Sequence, residues 1–213
     1  MPKRPNTHPD FRIELSKSGL IVGVDEAGRG PWAGPVVAGA AILNPATLPR
    51  DLIEGLDDSK KLKAEKREAL LMRLQQTDAV IGVGVASVAE IDNLNILQAT
   101  MLAMGRAVAD LGVTPDYALI DGNRVPQGLP CKAEAVVKGD SLSLSIAAAS
   151  IVAKVNRDHM MAELDQQYPG YGWARNAGYG TKAHQEGLKS IGVCVEHRKS
   201  FAPIRKMLSP DDS

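Results

Sequence analysis

The chain has 213 residues, of which 44% are apolar and only 4% aromatic, with 25 Lys and Arg against 25 Asp and Glu. That length supports one sizeable core, or one domain with an appendage, and a formal charge of zero excludes a strongly basic, non-specific nucleic-acid binder. Cys131 and Cys194 are isolated and have no metal-ligand spacing, which excludes structural zinc and suits reduced thiols in a cytosolic protein.

Residues 1–17 are polar and carry Pro2, Pro5 and Pro9. They are expected to form a flexible N-terminal tail, with residues 18–213 as one domain. The start has no apolar h-region and no long apolar run follows, so neither a signal peptide nor a membrane span is expected. Residues 20–25 (LIVGVD) read as a buried strand that runs into the acids Asp25 and Glu26 and the turn Gly28-Arg29-Gly30. Residues 36–43 form a second strand, short enough to be its hairpin partner. Residues 57–61 (DDSKK) are a charged loop, and residues 64–76 an amphipathic helix with Leu70, Leu71 and Leu74 on one side.

Residues 79–86 make a third strand. Ser87 and Glu90 have capping-box spacing and start a long helix that runs through Leu111 and stops at Gly112. Residues 117–120 are a fourth strand that ends on Asp121, and residues 132–138 a fifth. Asp140 is expected to N-cap a helix that continues to Tyr168 and ends at Pro169-Gly170. Gly178-Tyr179-Gly180 is a loop, Thr181 can cap a short helix, and the chain is helical from Phe201 to about Leu208. This order predicts an α/β fold, a mixed central sheet flanked by helices. A C-terminal helical extension covers about residues 170–208.

The chemistry gathers at strand ends. Carboxylates at the end of an apolar strand are poorly hydrated, and a divalent cation is the economical way to offset their repulsion. For Asp25 and Glu26 alone, solvated acids before a turn are the plain alternative. Asp121 ends a neighbouring strand and Asp158 lies on the long helix, so the four can converge. Two carboxylates about 5 Å apart repel by roughly 3 kcal/mol at an effective dielectric near 20; either their pKa values rise or cations bind. All-oxygen donors favour Mg²⁺ or Mn²⁺, and two such ions suit in-line phosphoryl displacement.

Residues 28–33 formally match G-x-G-x-x-A, a dinucleotide fingerprint. Asp25, Glu26 and Pro35 do not suit that turn, and a strand rather than a helix follows it. Tyr179 is either a loop aromatic packed on the body or a platform for a sugar or base. His184 and His197 read as structural or surface residues.

Together the stretches GVDEAGRGPWAGPVVAGAAIL, DDSKKL, LIDGN, VVKGDSLSLSIAAASIVAKVNRDHM, GYGTKAH and HRKSFAPI resemble type 2 ribonuclease H, the bacterial ribonuclease HII branch, in its order and over nearly the whole chain. The resemblance implies an RNase H-like fold. It also implies the metal-binding carboxylates Asp25, Glu26, Asp121 and Asp158, with Asp25 bridging two Mn²⁺ or Mg²⁺ ions, Glu26 and Asp121 completing one site and Asp158 the other. It implies that Gly28, Arg29 and Gly30 read a ribose 2′-hydroxyl through their backbone, and that Tyr179 packs on the sugar of the following deoxynucleotide. The substrates implied are RNA–DNA hybrids and DNA duplexes containing ribonucleotides, cut 5′ of the ribonucleotide to leave 3′-hydroxyl and 5′-phosphate ends. A cytoplasmic monomer acting in ribonucleotide excision repair and RNA primer removal is expected. Asn156 and Lys63 depart from the family's usual residues without touching the acids. A hybrid-binding module without catalysis is a rival that the four acids argue against, because binding alone does not need them.

Overall fold

The computed structural model describes residues 8–209. In chain order its helices and strands are α1 (Arg12–Leu15), β1 (Ile21–Ala27), β2 (Val36–Ile42), α2 (Arg50–Gly55), α3 (Ala64–Leu74), β3 (Val80–Ala86), α4 (Val88–Leu94), α5 (Ile96–Ala109), β4 (Tyr117–Asp121), β5 (Lys132–Val136), α6 (Leu144–Gln167), α7 (Trp173–Asn176), α8 (Lys182–Ile191) and α9 (Ala202–Leu208). The strands form one sheet in the order β3-β2-β1-β4-β5. β1 is antiparallel to β2, β2 is antiparallel to β3, and β1, β4 and β5 run parallel. The expected mixed sheet flanked by helices is therefore present. None of the helices among the described residues is long and apolar enough to cross a membrane.

Strand alternation sends Val22, Val24, Val36, Ala38 and Ala40 to one face, where Ala99, Ala103, Met104 and Ala107 of α5 cover them. The other face carries Ile21, Leu119 and Ala41 against the apolar residues of α6. Glycines let both helices lie almost on the sheet. A Cβ at Gly39 would strike the Ala149 carbonyl of α6, and one at Gly84 the Ala103 carbonyl of α5. A third cluster, built on Ala33, Met161, Tyr171, Trp173, Leu188 and Ile204, joins the C-terminal helices to the end of α6.

Three expectations need correction. Residues 1–7 of the expected flexible tail lie outside the described residues, but residues 8–17 are tied down. Glu14 of α1 is buried and accepts hydrogen bonds from Ser143 Oγ (2.7 Å) and Ser145 N–H (2.9 Å). The first turn of α6 has unpaired N–H groups that need such an acceptor. The cap of α6 is Ser143, whose hydroxyl accepts from Ile146 N–H, whereas Asp140 sits in a preceding 3₁₀ turn. The expected single helix from residue 88 to 111 is two. Asn95 takes φ 74°, and its side chain accepts from the N–H groups of Leu97 and Gln98, so it ends α4 and caps α5 at one residue. The short α1, α2 and α7 leave too little periodicity to be read from sequence.

Replacing Gly39 with alanine pushes α6 off the sheet and is expected to cost about 1–3 kcal/mol. Gly105→Ala, whose Cβ meets nothing within 4 Å on α5, is expected to gain about 0.5–1 kcal/mol. Urea midpoints that shift in opposite directions for the two variants check both.

Candidate active site

The register places the acids. Val24 pairs with Ile120 across the parallel β1–β4 ladder, so the next residues along, Asp25 and Asp121, stand side by side at the same end of adjacent strands. Asp25 and Asp121 continue the alternation of Ile21 and Leu119, and so share the α6 face. Asp25 is buried, and one of its oxygens accepts from Glu26 N–H at 2.7 Å. Asp121 accepts from Gly139 N–H at 2.7 Å. Burial first, then the charges of Glu26, Asp121 and Asp140, hold the Asp25 carboxyl well above the usual carboxylate range. Burial also raises Glu26, although Arg29, 3.2 Å away, and Lys60 pull against it.

The DDSKK loop feeds this edge. Lys60 Nζ lies 3.8 Å from Asp140. Burial alone would lower the Lys60 ammonium, but Asp25, Asp58, Asp140 and Asp121 together outweigh it and hold the pKa above its ordinary value. Lys60 is thus a largely exposed cation at the rim of a group of crowded acids. Asp158 is placed differently. It is paired on α6 with Lys154 (2.6 Å) and with Arg67 of α3 (3.3 Å). Among the described residues no three His, Cys, Asp or Glu side chains are already gathered around one point where an ion could sit. The structure brings Asp25, Glu26 and Asp121 to one edge and leaves Asp158 in its own ion pairs.

Beside the acids, residues 28–35 form a turn whose carbonyls point inward to two buried guanidiniums. Arg198 donates to the carbonyls of Arg29 (3.0 Å), Gly28 (2.6 Å), Gly34 (2.9 Å) and Pro35 (3.1 Å). Arg157 donates to Pro35 (2.9 Å), Ala177 (3.0 Å) and Ala33 (3.3 Å). Burial, and then the neighbouring charge of Arg157, pull Arg198 down to about 9; burial takes Arg157 to about 10. Both remain protonated at neutral pH. A trans peptide sets its N–H opposite its carbonyl. With the Gly28 and Arg29 carbonyls turned in, the N–H groups of Arg29 and Gly30 turn out, and neither finds an acceptor among the described residues. Gly28 takes φ 97°, and a Cβ there would strike Arg157.

The half-exposed Tyr179 stands over this outward edge, its ring 3.3 Å from where a Cβ on Gly30 would be. Trp32 N–H donates to the Gly178 carbonyl (2.8 Å), which fastens the two loops together. The result is a row of crowded carboxylates next to free backbone donors and an exposed ring. Such an edge can take a cation, a hydroxyl and a sugar face side by side.

Comparison with known proteins decides the family. A sequence model of the ribonuclease HII family matches residues 22–204. The chain is 57% identical over 200 residues to the ribonuclease HII of Jannaschia sp., covering 94% of this chain and 98% of that one. It is 56% identical to that of Paramagnetospirillum magneticum at the same coverage. The chain belongs to the ribonuclease HII family. It is a ribonuclease H, and its fold agrees: the crystal structure of ribonuclease H2 from Pyrococcus horikoshii superposes with a TM-score of 0.72 at 29% identity, covering 88% of this chain and 96% of that one.

Of the candidate residues named from sequence, the structure collects Asp25, Glu26, Asp121, Gly28, Arg29, Gly30 and Tyr179 on one edge and places Asp158 apart. Sequence reading missed Arg198, Arg157 as a brace, and Lys60 as the cation at the rim of the acids. Arg198 stands 170 residues from Gly28, and no local pattern marks it. His184 and His197, read as structural or surface residues, are both fully buried and touch each other.

Arg198→Met leaves four inward carbonyls without their donor and is expected to cost about 3 kcal/mol or more. Arg198→Lys recovers only part of this, because one ammonium cannot span the fork; chemical denaturation checks both. Asp25→Asn should do the reverse. An acid whose folded pKa is raised loses folding stability as pH climbs from its unfolded value through its folded one. Asn at position 25 should therefore raise Tm at neutral pH in chelator, by roughly 2–4 °C per kcal/mol relieved. The gain should vanish toward pH 4, and thermal melts at the two pH values test the sign.

Proposed function

We propose that this member of the ribonuclease HII family hydrolyses the RNA strand of RNA–DNA hybrids and cuts DNA duplexes on the 5′ side of an embedded ribonucleotide, leaving 3′-hydroxyl and 5′-phosphate ends. The observation that carries the reading is the adjacency of the outward Arg29 and Gly30 amides, the Tyr179 ring and the acid-bearing ends of β1 and β4. The 2′-hydroxyl is what tells RNA from DNA at one nucleotide. An edge of free N–H donors suits it, and the ring beside Gly30 suits the neighbouring sugar. Close approach of a sugar-phosphate backbone needs no side chain at Gly28 or Gly30.

The acids fit two divalent ions, Mn²⁺ or Mg²⁺. The donors are all oxygen, burial and the neighbouring carboxylates work against an ionised Asp25, and Lys60 already offsets part of the negative charge. Asp25, Glu26, Asp121 and Asp158 would hold the ions, which when bound lower the pKa of water and offset charge on the leaving oxygen. Glu26 would exchange Arg29 for this role, and Asp158 would exchange Lys154 and Arg67. Released from Glu26, Arg29 is free to meet a phosphate. The structure of an RNase HIII from Bst in complex with Mn²⁺ shares the fold, with a TM-score of 0.67 at 20% identity.

Two unpaired cysteines suit the reducing cytoplasm. Removal of ribonucleotides from DNA and of RNA primers follows from the same chemistry.

The test is cleavage of a labelled DNA duplex carrying one ribonucleotide, with Mg²⁺, with Mn²⁺ and with chelator. A metal-dependent cut 5′ of the ribonucleotide is expected. Asp121→Asn should lose turnover on the order of 10³-fold. Tyr179→Ala should weaken use of the single-ribonucleotide duplex by roughly ten- to a hundredfold, the worth of one stacked ring. Cleavage of long hybrids with none at the single ribonucleotide would sink the junction-reading role. No cleavage of either substrate would sink the proposal.

A further inference from the structure

Behind Tyr179 lies a buried polar chain that the carboxylate chemistry does not use. His184 and His197 are fully buried, and their Nε2 atoms are 3.0 Å apart. One nitrogen of such a pair must donate and the other accept, and the surroundings decide which. Cys194 N–H donates to His197 Nδ1 at 3.1 Å, so the His197 proton is on Nε2 and points at His184. Trp173 Nε1–H also donates to His184 Nε2, at 3.2 Å. That nitrogen is therefore an acceptor, and the His184 proton is on Nδ1, 3.0 Å from the Tyr179 carbonyl. Donation runs one way, from Cys194 through His197 and His184 to Tyr179.

The groups facing the two rings are Trp32, Tyr171, Trp173, the Cys194 thiol and the Tyr179 carbonyl. None is charged at neutral pH. Burial lowers both histidines, His197 to about 4 with the help of His184, so both stay neutral where a nuclease works. An extra proton would have to sit on a nitrogen at which a donor already points. The Tyr179 carbonyl takes a second hydrogen bond from Thr181 N–H at 2.7 Å. Gly180 packs flat on Trp32, where a Cβ would strike the ring. The backbone of residue 179 is thus fixed from behind, while its side chain stands free in front beside Gly30.

We propose that His184 and His197 are positioning residues for Tyr179, setting its carbonyl through a one-way hydrogen-bond chain and thereby the ring that meets the substrate sugar. The inference rests on the reading of Tyr179 as a substrate contact.

The two amide replacements of His184 separate this role from plain packing. Asn can keep a donor near the Nδ1 position, and Gln an acceptor near Nε2. His184→Gln, which loses the link to Tyr179, should raise KM for the single-ribonucleotide duplex roughly three- to tenfold, the worth of one buried hydrogen bond, with kcat within about twofold. His184→Asn should rescue most of that KM. In a Tyr179→Ala background, His184→Gln should add nothing. Equal KM effects of Gln and Asn, or additivity with Tyr179→Ala, would overturn the proposal. If Tyr179→Ala by itself leaves KM unchanged, the reading of Tyr179 fails first and takes this inference with it. Imidazole ¹⁵N shifts of the wild-type protein give a test that needs no variant: the proton belongs on Nδ1 of His184 and on Nε2 of His197. The opposite tautomers would break the chain and refute the proposal.

Discussion

Two guanidiniums that have no carboxylate partner among the described residues hold this molecule's candidate site in shape. Arg157 and Arg198 are buried side by side despite like charge, and they are tolerated because seven hydrogen bonds run from them to backbone carbonyls. The carbonyls belong to residues 28–35 and to Ala177. An arginine fork suits the task because its donors are fixed in one plane. The consequence for the turn is orientation rather than stability alone: carbonyls drawn inward leave amides facing out, and those amides are what the proposed substrate meets.

The acids beside this turn are arranged on the opposite principle. They are held apart by local partners, Glu26 by Arg29 and Asp158 by Lys154 and Arg67, while Asp25 and Asp121 lean on backbone N–H groups. The sheet fixes their positions through register, and burial with the charges of Glu26, Asp121 and Asp140 works against ionised Asp25. A site of this kind gives up folding free energy in exchange for readiness to bind charge. The positive brace is buried behind the same short turn that borders the negative edge, so its charge shapes the turn rather than the outer surface.

Much of this was legible in the sequence because it is local. An apolar strand running into Asp25 and Glu26, a strand ending on Asp121, and glycines at 28 and 30 are patterns of a few residues. The strands were found for the same reason. The break at Asn95 was not, because a helical pattern continues across it and only a left-handed backbone at one residue interrupts it. The cap of α6 moved from Asp140 to Ser143 because Glu14, more than a hundred residues away, closes that turn. Arg198, His184 and His197 were opaque as functional residues. Their contacts exist only after the C-terminal segment folds back on the turn after β1, and nothing in HRKSF says that its arginine will face Gly28.

That fold-back carries a consequence for how the protein comes into being. The sheet, α5 and α6 are complete by Gln167, so the scaffold and all four acids can be in place while the last segment is still unfolded. The turn cannot be, because the donor for the Gly28 and Arg29 carbonyls is the 198th residue of 213. Loop closure over so long a separation comes late in folding. During synthesis the scaffold that carries the four acids can therefore be folded before the amides of the turn, on which the proposed reading of RNA against DNA depends, are set facing outward. Under the proposed function, discrimination is the last property the chain would acquire, and the first it would lose if the segment carrying Arg198 came away.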